Sequence, residues 1–177
     1  MRVSRAVLAL TMGVAVLVAA CGRPSVTIAP SVPAVSHSPV PGVGAVIPTD
    51  DGSEKFDVFG EEGSTALATA TSIAPADLQA VLSANGKTTD DFSYAIATGS
   101  AGTTVAAFQI QGLTASHFSS LIPEANTATV KHVTLGGKDV LASEAANIGA
   151  WVYMKDDMIF VITGTKDAAA AMLKKLP

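Results

Sequence analysis

Apolar and polar positions alternate most clearly in the middle of the chain. Phe92, Tyr94 and Ile96 recur at every second residue, the period of a strand with one buried face. Gly99 to Gly102 supplies a turn, and Val105 to Gln111 returns as a second strand. Thr129 to Leu135 and Lys138 to Ser143 flank Gly136-Gly137, a two-residue hairpin signal. Trp151 to Met154 and Met158 to Thr163 form a further hairpin across Lys155-Asp156-Asp157. Upstream, Thr65 to Ile73 has moderate β character, with Leu67, Thr69, Thr71 and Ile73 on one face. Helical spacing takes over at three places. Pro75 opens a short helix whose Leu78, Val81 and Leu82 share a stripe, and Asn85-Gly86 ends it. Thr114 to Leu121 is a helix candidate with Phe118, Leu121 and Ile122 inward, stopped near Pro123. Lys166 to Leu176 places Ala169, Met172, Leu173 and Leu176 on its inner side.

Together these elements predict an α+β fold, an antiparallel sheet with about three helices packed on one face. A weak internal repeat points to two related strand-strand-helix halves. At an offset of 52 residues, Phe108, Ile110, Gly112 and Leu121 match Phe160, Ile162, Gly164 and Leu173. One segment departs from the pattern. Met158 to Ile162 is apolar on both faces of its strand, and Trp151 and Tyr153 lie on the strand before it. A sheet covered on one side should alternate apolar and polar positions. Two readings follow: a loop, the preceding chain or a curled sheet covers the second face, or Trp151, Tyr153, Phe160 and Ile162 line an apolar groove or subunit interface.

Composition bears on the N-terminal part. Of the 177 residues 49% are apolar and 15% charged, a balance that would suit a membrane protein. The long uninterrupted apolar run is Ala6 to Ala20, shorter than the roughly 20 residues that span a bilayer core. Six of the nine prolines fall between residues 24 and 48, where no helix or strand period survives. The chain therefore divides into a signal segment at 1–20, a Pro-rich tether at 21–51 and one domain at 52–177. At about 3.1 Å per residue the tether reaches on the order of 90 Å.

Met1 to Arg5 forms a short positive region, Ala6 to Leu17 an apolar one, and small residues follow. The stretch Val18-Ala19-Ala20-Cys21 resembles the lipobox of bacterial lipoproteins, which lipoprotein signal peptidase recognises through a branched apolar residue, two small residues and a cysteine. The resemblance covers about the first 22 residues and holds at every position of the motif. It implies cleavage between Ala20 and Cys21, a thioether-linked diacylglycerol on Cys21, often a third, amide-linked acyl chain, and residence at the extracytoplasmic face of the cell membrane. Two chains anchor stably where one is marginal, at about 0.8 kcal/mol per buried CH₂. Gly22 stands where the usual inner-membrane retention signal has Asp. The downstream pattern resembles the uncharacterised exported domains common in actinobacterial lipoproteins, a resemblance that implies no activity.

Charge and candidate chemistry narrow the rest. Loss of Arg2 and Arg5 with the signal would take the formal charge from −4 to about −6. Beyond Lys174-Lys175 there is no basic cluster, so nucleic acid is not an expected partner. A single Cys permits no intrachain disulfide. Gly-x-Ser-x-Gly does not occur. His37 lies in the tether, and His117 and His132 read as polar surface or edge residues. The acids come in adjacent pairs, Asp50-Asp51, Glu61-Glu62, Asp90-Asp91 and Asp156-Asp157. Neighbours on a strand point to opposite faces, so such pairs make no carboxylate dyad by themselves. Asp50-Asp51-Gly52-Ser53-Glu54 faintly resembles a calcium loop but lacks its alternating ligands and distant Glu, and is read as a turn. Gly42-Val43-Gly44 has no preceding strand or following helix to make a phosphate loop. The expectation is a lipid-anchored envelope protein with a non-catalytic binding or interaction domain. It needs no cofactor or metal, and meets the membrane through Cys21 and an unidentified envelope protein or apolar ligand. The alternative is a carrier or sensor of a lipid-like ligand at Trp151, Tyr153, Phe160 and Ile162.

Overall fold

Strand alternation in the chain becomes one seven-stranded antiparallel sheet in the computed structural model, which describes residues 41–126, 129–145 and 148–177. Cys21, its lipobox and His37 lie outside the described residues. The strands are β1 (Phe56–Glu62), β2 (Phe92–Gly99), β3 (Thr104–Ile110), β4 (Lys131–Leu135), β5 (Lys138–Ala145), β6 (Ile148–Lys155) and β7 (Met158–Gly164). Their order across the sheet is β1-β2-β3-β7-β6-β5-β4. Each neighbouring pair except β3 with β7 follows directly in sequence or, for β1 and β2, is joined through helices. The hairpin expected at Gly136-Gly137 forms, with Leu135 opposite Lys138. Among the described residues three α-helices complete the fold: α1 (Gly63–Thr69), α2 (Pro75–Ala84) and α3 (Lys166–Lys175). The α+β architecture is thus the one expected.

The placement of the helices is not. Even and odd positions of the central strands feed two separate cores. On the first face, Ala95, Ala97, Val105, Ala107, Trp151, Tyr153, Phe160 and Ile162 pack with Ala169, Met172 and Leu173 of α3 and with Leu176 just after it. On the second, Phe92, Tyr94, Phe108, Ile110, Val152, Ile159 and Val161 pack with Ala66 and Ala70 of the α1 region and with Leu78 and Leu82 of α2. The expectation of all helices on one face is therefore corrected: α3 covers one side, α1 and α2 the other. This layering explains Met158 to Ile162, because a strand between two covered faces must be apolar on both.

Residues 42–47, expected to lie in the tether, also pack against the first face. Gly42–Val46 forms a 3-10 turn, and Val43 and Ile47 are buried beside Phe56, Ala95 and Val105. This segment, here the strap, covers the part of the first face over β1 to β3. Its path runs on into β1 through the Phe56 N–H, which donates to the Thr49 carbonyl at 2.8 Å.

Three further expectations change. Thr65 to Ile73 is not a strand; α1 occupies its first half, and β1, which pairs with β2 along seven residues, lies just before it. Ala66 and Ala70, four apart, are fully buried against the second face, so packing overrides the local β preference. The helix expected from Thr114 becomes three 3-10 turns, Ala115–His117, Ser119–Leu121 and Pro123–Ala125. Finally, the repeat does not relate two equivalent halves. Phe108 and Ile110 point into the second-face core and Phe160 and Ile162 into the first. What recurs is a hairpin whose last strand turns its large residues toward the segment that follows it.

Candidate functional site

Trp151, Tyr153, Phe160 and Ile162 were the sequence's candidates for an apolar opening. All four are at most 8% exposed and lie within the first-face core. Tyr153 stacks on Phe160 with ring centroids 6.0 Å apart, and its hydroxyl donates to the Pro177 main-chain oxygen at 2.8 Å. Lys138 Nζ donates to the same oxygen at 2.8 Å and stands 4.8 Å from the Tyr153 ring centre. The four residues come together, but as a covered core. The open ligand surface that the carrier reading requires is not at these residues.

The second face is less completely closed. Between α2 and the 3-10 turns lies a groove of about 590 Å³ lined by Ile73, Asp77, Val81, Ser120, Leu121 and Asn126, among others. Its floor is set by Ile73, which is buried, and by the half-buried Val81 and Leu121. Asn126 Nδ2 donates to the carbonyls of Ser119 and Ile122 at 3.1 and 2.9 Å, fixing the far wall. Short 3-10 turns with eclipsed side chains cover a sheet less evenly than a regular helix. That accounts for an opening beside this wall. The lining mixes apolar side chains with Asp77, Ser120 and Asn126, a surface suited to a partner segment with both apolar and hydrogen-bonding groups.

A polar notch of about 230 Å³ lies where the strap meets the sheet, lined by Gly42, Glu62, Asp90, Asp91, Ser93, Gln109 and Gln111. Its groups are largely committed to structure. Ser93 Oγ accepts the Val43 N–H at 3.2 Å and donates to Gln109 Oε1 at 3.3 Å. Gln109 Nε2 donates in turn to Asp157 Oδ1 at 3.1 Å, and Asp157 Oδ2 accepts the Gly112 N–H at 2.9 Å. This chain of bonds joins the strap, β2, β3 and the β6–β7 turn. Gly42 sits at φ +56°, and a Cβ there would lie 2.6 Å from Ser93 Cβ, so only glycine lets the strap come this close. Asp91 accepts from the Thr88 backbone and hydroxyl in a capping box. The Thr88 backbone bond first, and then its hydroxyl and Lys87, hold the Asp91 carboxyl below the usual range against the opposing effect of desolvation.

The remaining candidates stand apart. His117 is exposed on a 3-10 turn and His132 is exposed on the edge strand β4. Asp51 and Glu54, passed over as a turn, are buried at 5% and 7% exposure. Burial pushes the Asp51 carboxyl up, but hydrogen bonds from Ser53 and Glu54 outweigh it and hold the group below the usual range. The signal for them was present in the Asp-Gly-Ser-Glu spacing of a tight turn, but nothing local told which side would be covered. The strap likewise carried an i, i+4 apolar pair, Val43 and Ile47, hidden among prolines. Among the described residues no helix is long and apolar enough to cross a membrane. Compared with protein-family models, with curated proteins and with solved structures, the chain matches none.

Proposed function

We propose that this protein is a lipid-anchored envelope lipoprotein whose α+β domain is a non-catalytic binding module. The observation that carries the reading is Val18-Ala19-Ala20-Cys21 directly after a positive and then apolar N-terminal segment. The Pro-rich chain between Cys21 and the strap supports it, since such a spacer holds a domain away from a surface. In this reading the lipid supplies position, and the groove between α2 and the 3-10 turns supplies recognition.

Two experiments test the two parts separately. Cys21→Ala should abolish incorporation of labelled fatty acid and release the protein from membranes or leave an uncleaved precursor. Unchanged labelling and membrane association would overturn the anchor. For the groove, a photo-crosslinking residue at Ala80 should capture an envelope partner in intact cells, while one at Lys174 on the opposite face should not. Equal yields at both positions would remove the groove as the recognition surface.

A further inference from the structure

The two edges of the sheet present different surfaces. β4, at one edge, is five residues long and exposes Lys131, His132 and Thr134. β1, at the other, pairs with β2 along all seven of its residues. The start of β1 shows which of its main-chain groups face outward. The Lys55 carbonyl accepts the Ser100 N–H on the β2 side, whereas the Phe56 N–H turns the other way, to the Thr49 carbonyl. Successive residues of a strand alternate in the direction of their N–H and C=O groups. Val58, Gly60 and Glu62 therefore present theirs outward, and among the described residues no main-chain bond reaches them from beyond the edge. Such an edge is a template for a further strand.

Its side chains select which strand fits. Asp57, Phe59 and Glu61 share the second face, since Phe59 lies opposite Ile96 and Glu61 opposite Tyr94. Phe59, at the centre of β1, is 51% exposed. Glu61 Oε2 accepts the Thr69 hydroxyl at 2.7 Å, which fixes its side chain beside the edge. Among the described residues no basic side chain forms an ion pair with Asp57, Glu61 or Glu62. The order acid, aromatic, acid is symmetric about Phe59. Two β1 edges paired antiparallel about that residue would oppose Asp57 to Glu61 twice, and like charges directly opposite destabilise a sheet. The edge thus selects against its own copy. β4 of a second copy does not suit it either, because neither face of β4 places an apolar residue between two basic ones.

We propose that the outer edge of β1 is a second recognition surface, which takes an extended segment of another protein with basic, apolar and basic side chains at alternate positions. The main chain of the segment bonds to Val58, Gly60 and Glu62. Its apolar side chain covers Phe59, and its basic ones face Asp57 and Glu61. Because the edge is symmetric about Phe59, the pattern fits in either strand direction. This surface is independent of the groove between α2 and the 3-10 turns.

The test uses the full chain in non-ionic detergent and an end-capped peptide of seven residues, the length of β1, in which threonine alternates with lysine, valine and lysine. Hydrogen exchange read by NMR should find the amides of Val58, Gly60 and Glu62 unprotected in the free protein and slowed at least about tenfold by bound peptide. Anisotropy of the labelled peptide should show saturable binding below about 1 mM. Glutamate in place of both lysines should weaken it at least about tenfold, and Phe59→Ala about threefold. N-methylation of one alternate set of peptide amides should abolish binding and of the other set should not, because one set alone faces β1. Absence of saturable binding up to about 1 mM overturns the proposal. So does equal binding of the lysine and glutamate peptides, equal sensitivity of the two methylated sets, or unchanged affinity of the Phe59→Ala chain. Protection of the three amides before peptide is added also overturns it, since the preceding chain or a second copy then occupies the edge. Should Phe59→Ala not fold, the peptide variants decide with the unaltered chain.

Discussion

The two faces of the sheet are closed in different ways. The first carries one regular helix, α3, with a strap of chain beside it, and the residues under them are close to fully buried. The second carries α2, as long as α3, with the shorter α1 and a run of 3-10 turns, and a groove remains between α2 and those turns. Both faces draw on the same strands, β2, β3, β6 and β7, at alternate positions. The contrast lies in the covering chain. Ala169, Met172, Leu173 and Leu176 lay a continuous stripe along the first face, capped at its start by Thr165, whose hydroxyl accepts the Ala168 N–H. On the second face Pro123 and a string of 3-10 turns interrupt any such stripe. A face closed by a stripe leaves no groove of this size; a face closed in pieces keeps one.

Substitutions can break or sharpen this contrast. The largest effect should come from Phe160→Ala at the centre of the first face, where the side chain is fully buried. A loss of about 3–5 kcal/mol in urea unfolding is expected. A loss near that of a groove residue would mean that the first face is not closed. Next comes Gly42→Ala, which forces a Cβ against Ser93 at positive φ. It should cost roughly 1–3 kcal/mol by the same measurement. A neutral result would free the strap from the first face. Leu121→Ala, half-buried in the groove floor, should cost only about 1 kcal/mol and leave the unfolding cooperative.

The smallest effect concerns pH, at the capping box that leads into β2. Asp91 is held below its usual pKa by Thr88, so its contribution to stability is present above the unfolded carboxyl value. That contribution is lost as pH falls through the lower, folded one. Asp91→Asn should therefore flatten the acid limb of the stability curve below about pH 4 and leave the neutral-pH limb parallel to the parent. An unchanged acid limb would show that Asp91 has no such role.

Much of this architecture was legible in the sequence. Six strands, both hairpins at Gly136 and Asp156, and helices α2 and α3 follow from apolar period and turn residues, with ends displaced by a few positions. β1 escaped because Asp57, Gly60, Glu61 and Glu62 interrupt its apolar alternation; its identity comes from pairing with β2. α1 was misread because Leu67, Thr69, Thr71 and Ile73 happen to alternate, while the positions that matter are Ala66 and Ala70. Of the site, the groove could not be foreseen, since it arises between elements far apart in sequence, Ile73 to Val81 and Ser120 to Asn126. The aromatic candidates were identified as clustered and apolar, with a covered second face as one of two readings; that α3 and the strap together supply the cover was not.

By itself the sequence determined the period of each strand, the two-residue turns and the inward stripe of α3, because these depend on neighbours within a few residues. The proposed anchor at Cys21 also rests on sequence alone. Only the tertiary structure decided that α3 lies opposite α1 and α2, that Val43 and Ile47 belong to the core, and that Asp51 and Glu54 are covered. The physical reason is common to all three. Alternation tells that a residue has an inside, but what fills that inside is chosen by long-range packing, which no local pattern records.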